Sequence, residues 1–368
     1  MTNSQRTCAT ILAAASALTM AVPGLAQKTA PAPAPAALAA PAALQNGTPM
    51  VIATTYDVDS AILAGTRKVT VRLPADYSED ETSRYPVVYV LDGGPQQDFE
   101  HIAGIAQSRE MNYSFAPFIL VGIESVNRRS ELSPNVVDPA PYEEAMGAVP
   151  GGSAAYRDFL RTEIKPLIDA TYRTSGKSAV MGESLAALFV VETLLKESTL
   201  FDDYIAISPS LWWEQMEFGR EAAKYLATFP AGDRRVYLTT ANEGDWHREG
   251  MERLVDTLRT DAPPNLAWTF VDAGESETHG TLYHPMALDA FRALYGTPSR
   301  EYKSYPLIGG PPVIERTPAE QAVLDTECTR EKSKKMTPGM AERAREAIYY
   351  QCLLLDLGPT PREGTLGR

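Results

Sequence analysis

The strongest chemical signal in this chain is the run Val180-Met181-Gly182-Glu183-Ser184-Leu185-Ala186-Ala187-Leu188-Phe189. An apolar segment enters a Gly-x-Ser-x-small pattern, and a helical pattern leaves it at once. That strand–turn–helix setting is what a nucleophile elbow needs. Residues flanking the serine must be small to clear strand and helix. The strained turn then projects the Ser184 hydroxyl at a helix N-terminus, where the dipole favours developing negative charge. The usual third small residue is Gly, and Ala186 is one methyl larger. The five-residue pattern alone is weak: at ordinary residue usage, a chance match in a chain this long has a probability on the order of a quarter. Its placement between strand and helix carries the reading, against the alternative of an ordinary turn with a solvated serine.

A serine nucleophile needs a base and an acid that orients the base. On an elbow of this kind the chain order is serine, acid, histidine. Four histidines exist, His101, His247, His279 and His284. His101 precedes the serine within a helical pattern. His279 lies in the polar loop Gly274-Glu275-Ser276-Glu277-Thr278-His279-Gly280, between the last strand and the last helix of the pattern, and is the expected base; His284 is the fallback. The acid is expected just after the strand Val236–Thr240, where Glu243 is the first carboxylate and Asp245 and Glu249 compete. An oxyanion would be met by the Leu185 N–H and by an amide of Leu91-Asp92-Gly93-Gly94-Pro95, from Gly93 or Gly94.

These residues require a frame, and the chain supplies a regular one. Val69–Leu73, Val87–Leu91, Phe118–Ile123, Ser178–Met181, Tyr204–Ile207, Val236–Thr240 and Leu266–Val271 read as strands. The second, VVYVL, is continuously apolar, as in a strand buried on both faces. Ala154–Thr171, Leu185–Glu197, Gly250–Arg259 and His284–Tyr295 read as helices between them. Such alternation predicts a mostly parallel sheet covered on both faces, an α/β sandwich. Val51–Val58 and Ala61–Leu73, joined by short turns, are expected to form an antiparallel edge.

Composition narrows the rest. The 368 residues carry 34 Lys and Arg against 47 Asp and Glu, a net charge of −13. That surface repels phosphate backbones and anionic headgroups, which argues against nucleic-acid binding. Residues 1–26 read as a signal peptide: Arg6 precedes the uncharged apolar run Ala9–Val22, and Gly24-Leu25-Ala26 places small residues at the cleavage site. The run is shorter than the roughly 20 residues of a membrane span. The expectation is a secreted or periplasmic protein with no integral membrane span after cleavage. Residues 27–47 form an Ala/Pro spacer, 48–300 the α/β body, and 301–368 a C-terminal helical extension. There, Thr317-Pro318-Ala319-Glu320 and Thr337-Pro338 open two helices. Cys328 and Cys352 fall on their apolar stripes, which suggests a hairpin closed by a disulfide, against the alternative of two buried thiols. Cys8 leaves with the leader, and no CxxC or Cys/His cluster points to structural zinc.

Taken together, four segments resemble the esterase branch of the α/β-hydrolases, especially the siderophore (enterobactin-type trilactone) esterases. They are Tyr85–Gly93; Val121-Gly122-Ile123 with Arg128-Arg129-Ser130-Glu131-Leu132-Ser133-Pro134; the elbow with Leu188-Phe189; and Phe201–Trp213. The Thr278-His279-Gly280 loop matches the family's histidine position, and the resemblance spans about 50 to 298. It implies an α/β-hydrolase sandwich and serine-dependent hydrolysis of a small-molecule ester, with Ser184 and His279 carried over. It maps the family's arginine loop onto Arg128 and Arg129 as contacts for an anionic group, and Trp212 and Trp213 onto the acyl-pocket wall, against the alternative that both tryptophans are core. No metal or organic cofactor is required. Ala186 and the C-terminal extension depart from the pattern. The alternatives are a carbohydrate acyl (acetyl or feruloyl) esterase, or a non-catalytic binding protein on the same scaffold.

Overall fold

The computed structural model describes residues 46–78, 81–112 and 115–296. The expected leader, the first 19 residues of the spacer (27–45), the C-terminal extension and the Cys328–Cys352 pairing lie outside the described residues.

One eight-stranded sheet organises the body: β1 (Thr54–Ser60), β2 (Gly65–Arg72), β3 (Tyr85–Leu91), β4 (Ile119–Ile123), β5 (Thr174–Glu183), β6 (Asp203–Ile207), β7 (Arg234–Thr240) and β8 (Leu266–Asp272). Their spatial order is β1-β2-β4-β3-β5-β6-β7-β8. β1 and β2 pair antiparallel, β2 meets β4 antiparallel, and the pairings from β4 through β3, β5, β6 and β7 to β8 are all parallel. The expected antiparallel edge is therefore present, but it turns at Ala61–Ala64 rather than running as strand. The Leu63 N–H donates to Ser60 Oγ at 2.9 Å, and Ala64 takes a left-handed φ of 48° to close the turn.

β3 shows why its apolar run is unbroken. Val87, Tyr89 and Leu91 enter the core on one face, and Val88 and Val90 enter the core on the other. Helix Leu185–Glu197 follows β5 directly, and every residue from Leu185 to Leu195 is buried. Its one buried acid, Glu192, is held by Arg157 Nη1 at 2.8 Å, itself buried. The element expected at Ala154–Thr171 runs Ser153–Thr171 with a π turn at Leu160–Ile164. Pro166 lies just beyond it; proline has no N–H to donate four residues back and crowds that carbonyl, which loosens the preceding turn. Helix Tyr283–Tyr295 closes the opposite face through Ala287, Ala290 and Phe291. No helix among the described residues is long and apolar enough to cross a membrane.

Candidate active site

Ser184, Ser208, Glu243 and His279 all follow the carboxyl ends of adjacent parallel strands, β5, β6, β7 and β8. This is the edge at which side chains from separate loops of a parallel sheet converge. Ser184 has φ 60° and ψ −116°, a conformation that L-residues rarely adopt. Such backbone costs of order 1–3 kcal/mol and persists only where its surroundings enforce it. Here the Ser184 N–H donates to the Ile207 carbonyl at 3.0 Å, and the Leu188 N–H returns to the Ser184 carbonyl at 2.9 Å. Gly182 is required because a β-carbon there would lie 2.7 Å from that of Ala186. Ala186 is fully buried in this contact, so the extra methyl fits with glycine opposite it.

Ser184 Oγ lies 3.0 Å from His279 Nε2. On the other side of the ring, His279 Nδ1 is 3.3 Å from Glu243 Oε1. Ser208 stands between those two groups. Its Oγ is 2.7 Å from His279 Nδ1 and donates a short hydrogen bond to Glu243 Oε1. Thr240 Oγ1 donates to the second oxygen, Glu243 Oε2, at 3.1 Å. This network assigns the proton of a neutral His279 to Nδ1 and leaves the Nε2 lone pair facing Ser184. Loop-to-loop bonds hold the arrangement: the Asn242 N–H donates to the Glu277 carbonyl at 3.2 Å, and the Ala273 N–H to the Thr240 carbonyl at 2.8 Å.

The electrostatics follow from these partners. Burial alone would raise the Glu243 pKa, but hydrogen bonds from His279, Ser208 and Thr240 hold it below the usual carboxylate range. His279 is raised, first by its hydrogen bond to Glu243, against the opposing effect of burial, with Glu183 adding. Glu183 Oε1 lies 3.8 Å from His279 Nε2, and burial pushes its carboxyl up while His279 opposes. Beyond it, burial and Asp92 push Asp98 up to about 6, against Arg128.

The other candidates are placed differently. His284 sits against His101, with ring centroids 5.8 Å apart, rather than in the Ser184 contact. Glu249 pairs with Arg253 at 2.6 Å. Arg128 Nε bonds Asp92 Oδ2 at 2.5 Å and its Nη2 reaches the Glu183 carbonyl at 3.3 Å, so it faces carboxylates beside the elbow. Arg129 bonds the Met146 carbonyl.

Two expectations need correction. The Gly93 N–H donates to the Ile123 carbonyl at 2.8 Å and is already engaged, so it is not a free oxyanion donor. Its glycine serves packing instead, since a β-carbon there would come within 2.5 Å of Gly122 Cα. Trp213 is fully buried, 4.6 Å from the Tyr142 ring, and lies in the core rather than on a pocket wall. Trp212 is only partly buried and its ring stands 6.3 Å from His247. The Leu185 N–H, in the first helical turn, has no carbonyl within its own helix to bond. The Gly94 N–H donates to Gln97 Oε1 at 3.0 Å, and that side chain is held in turn by the Ser125 N–H at 3.2 Å and the Ser125 carbonyl at 3.1 Å.

Sequence reasoning assigned no role to Ser208. The only signal was the Ile207-Ser208-Pro209 step after β6, where Ser208 takes a left-handed φ of 49° that turns its hydroxyl between His279 and Glu243.

Comparison with known proteins agrees with this frame. The model of the Esterase family, described as putative esterase, matches residues 60–301. The chain belongs to the Esterase family. Among its relatives are the uncharacterized protein YbbA of Bacillus subtilis, 26% identical over 52% of this chain and 74% of that protein. The ferri-bacillibactin esterase BesA of the same organism is 25% identical over 48% of this chain and 64% of BesA. The siderophore triacetylfusarinine C esterase of Aspergillus fumigatus is 22% identical over 49% of this chain and 63% of its own length. The matches thus span less than two thirds of those two named esterases. Among solved structures, an IroE-like serine hydrolase from Shewanella oneidensis aligns with a TM-score of 0.62 at 24% identity, covering 83% of this chain and 95% of the other. The shared architecture is the α/β-hydrolase sandwich.

Proposed function

We propose that this esterase is a serine carboxylic-ester hydrolase in which Ser184 is the nucleophile, His279 the general base and Glu243 the orienting acid. The observation that carries the reading is the continuous chain from Ser184 Oγ through His279 to Glu243, at 3.0 and 3.3 Å, built on a strained serine. His279 Nε2 takes the Ser184 proton as Oγ attacks the ester carbonyl. The Leu185 amide meets the developing oxyanion. The alcohol leaves with the proton held by His279. Water then gives up a proton to the same nitrogen and releases the acid. Siderophore-type esters are the proposed substrates, supported by the names of two relatives that act on such molecules. Arg128, lying beside the elbow, is the group available to an anionic part of such a substrate. The leader read in residues 1–26 supports the periplasm or the exterior as the proposed location.

Replacing Ser184 tests the proposal most directly. The Ser184→Ala variant is expected to lose p-nitrophenyl acetate turnover by roughly 10⁴-fold or more, with unchanged circular dichroism. A fluorophosphonate probe should label the wild type at Ser184 and leave the variant unlabelled. Retained turnover, or labelling at another residue, would sink the assignment. A panel of ferric and iron-free siderophores, feruloyl sugars and short acyl esters ranks the substrates; preference for feruloyl or acetyl sugars would replace siderophore-type esters with carbohydrate acyl groups.

A further inference from the structure

One histidine near the site takes no part in the chain just described. His247 lies in the first turn of helix Asp245–Asp261, and its ring centroid is 5.3 Å from that of His279. Its Nδ1 is buried with no hydrogen-bond partner. A buried ring nitrogen left without a partner is uncommon and calls for an explanation. One ligand atom each from Glu243, His247 and His279 falls within a set whose members all lie within 4.8 Å of one another. Two histidines and one carboxylate are a donor set suited to a tetrahedral divalent ion, with one position left for water. One of the three ligand spacings already suits such an ion. His279 Nδ1 and Glu243 Oε1 are 3.3 Å apart, and bonds of about 2.0–2.1 Å give a zinc tetrahedron an edge of about 3.3 Å.

We propose that Glu243, His247 and His279 form a binding site for a divalent transition ion such as Zn²⁺, and that its occupation switches the esterase off. The switching half rests on the roles proposed for Ser184 and His279. Its logic is the same whichever His279 nitrogen binds. An ion on Nδ1 displaces the proton there; the neutral ring then carries its one proton on Nε2 and can only donate towards Ser184. An ion on Nε2 occupies the lone pair itself. Either way the Ser184 proton has no acceptor. Glu243 and Ser208 are drawn in as well, since the ion replaces the Ser208 hydroxyl as the bridge between ring and carboxylate. Hard cations do not fit the same set: Mg²⁺ and Ca²⁺ seek six or more oxygens.

The full chain, cleared of metal by a chelator, is titrated with ZnCl₂ by calorimetry as wild type, Ser184→Ala and His247→Phe. Phenylalanine keeps the ring contacts of His247 and removes both nitrogens. Ser184→Ala should bind as the wild type does. His247→Phe should bind more weakly by at least the roughly 10- to 100-fold that loss of a supporting group behind a ligand already costs. In parallel, Zn²⁺ should suppress fluorophosphonate labelling and p-nitrophenyl acetate turnover of the wild type in step with occupancy, reversibly on chelation. Mg²⁺ and Ca²⁺ should do neither. His247→Phe without zinc should turn over as the wild type does, and should resist Zn²⁺. Equal zinc affinity in wild type and His247→Phe overturns the site, and zinc bound without loss of turnover overturns the switch. If His247→Phe does not fold, zinc-edge absorption on the wild type decides: fewer than two imidazole ligands overturns the site. Affinity is read without catalysis, so a chain that binds zinc through His247 yet hydrolyses no ester would sink the serine-esterase reading and leave the site standing.

Discussion

Two glutamates face the two sides of one imidazole, and the structure treats them oppositely. Glu243, after β7, approaches His279 Nδ1 at 3.3 Å; Glu183, at the end of β5, approaches Nε2 at 3.8 Å. The Glu243 side chain is only 2% exposed, yet its pKa is held down. The Glu183 side chain is 20% exposed, yet its pKa is pushed up. Exposure alone would predict the reverse. What differs is donors: Glu243 accepts from Ser208, Thr240 and His279, whereas Glu183 shares its neighbourhood with Asp92 and Asp98. Charge inside a protein is set by the hydrogen bonds that meet it more than by the depth at which it sits. Adjacency to Ser184 in sequence does not bring Glu183 the donors that Glu243 has.

The largest expected effect tests the Glu243 side. Glu243→Gln removes the charge and keeps the shape, so His279 loses the partner that fixes its tautomer. Turnover should fall roughly 10³- to 10⁴-fold, as for the equivalent change in other triads. The pH profile should move as well. A base works when neutral, so activity is present above the His279 pKa and is lost as pH falls through it. Glu243 is the main cause of the upward shift of His279, so the variant's residual activity should extend to lower pH than the wild type's. A kcat/KM profile with an unmoved acid limb would break the comparison.

Glu183→Gln is the converse test, with a smaller effect. No donor holding the Glu183 carboxylate is seen among the described residues, so turnover should stay within about tenfold of the wild type, the size of a loss that leaves the general base in place. The acid limb should again move down, because Glu183 also raises His279. If Glu183→Gln proved the more damaging of the two, the roles of the two glutamates would have to be exchanged.

Which parts of this were legible beforehand follows from how local their causes are. The sheet was readable because burial of β3 on both faces writes itself as VVYVL, and helix Leu185–Glu197 was readable to both ends because it is almost wholly apolar up to Leu195. The meeting of Ser184 with His279 was readable because elbow and loop are local patterns. Ser208 was not, since its importance depends on register: Ile207 pairs with Thr239, and the Ser208 N–H bonds the Thr239 carbonyl, which brings β6 and β7 to end level. Gly93 misled because a glycine required for strand-to-strand contact looks the same in sequence as one required for an open amide. Trp213 misled because two adjacent tryptophans do not declare which of them faces inward. His247 had no pattern at all; only the fold places it beside His279.

The smallest expected effect lies on the crowded side and concerns stability. Asp98 stands immediately before helix Phe99–Asn112, and its carboxyl is pushed up to about 6 from an ordinary 3.8, first by burial and then by Asp92. A carboxyl that holds its proton more tightly when folded stabilises the fold at low pH. That contribution is complete below the unfolded value near 4 and is lost as pH rises through about 6. Two pKa units correspond to about 3 kcal/mol, and partial exposure reduces this to about 1 kcal/mol. Asp98→Asn keeps a residue well suited to a helix start and removes the charge. It should therefore match the wild type in urea unfolding at pH 4 and exceed it by about 1 kcal/mol at pH 8. A variant less stable than the wild type at pH 8 would mean that Asp98 is held by donors as Glu243 is, and the contrast between the two sides of His279 would lose its electrostatic basis.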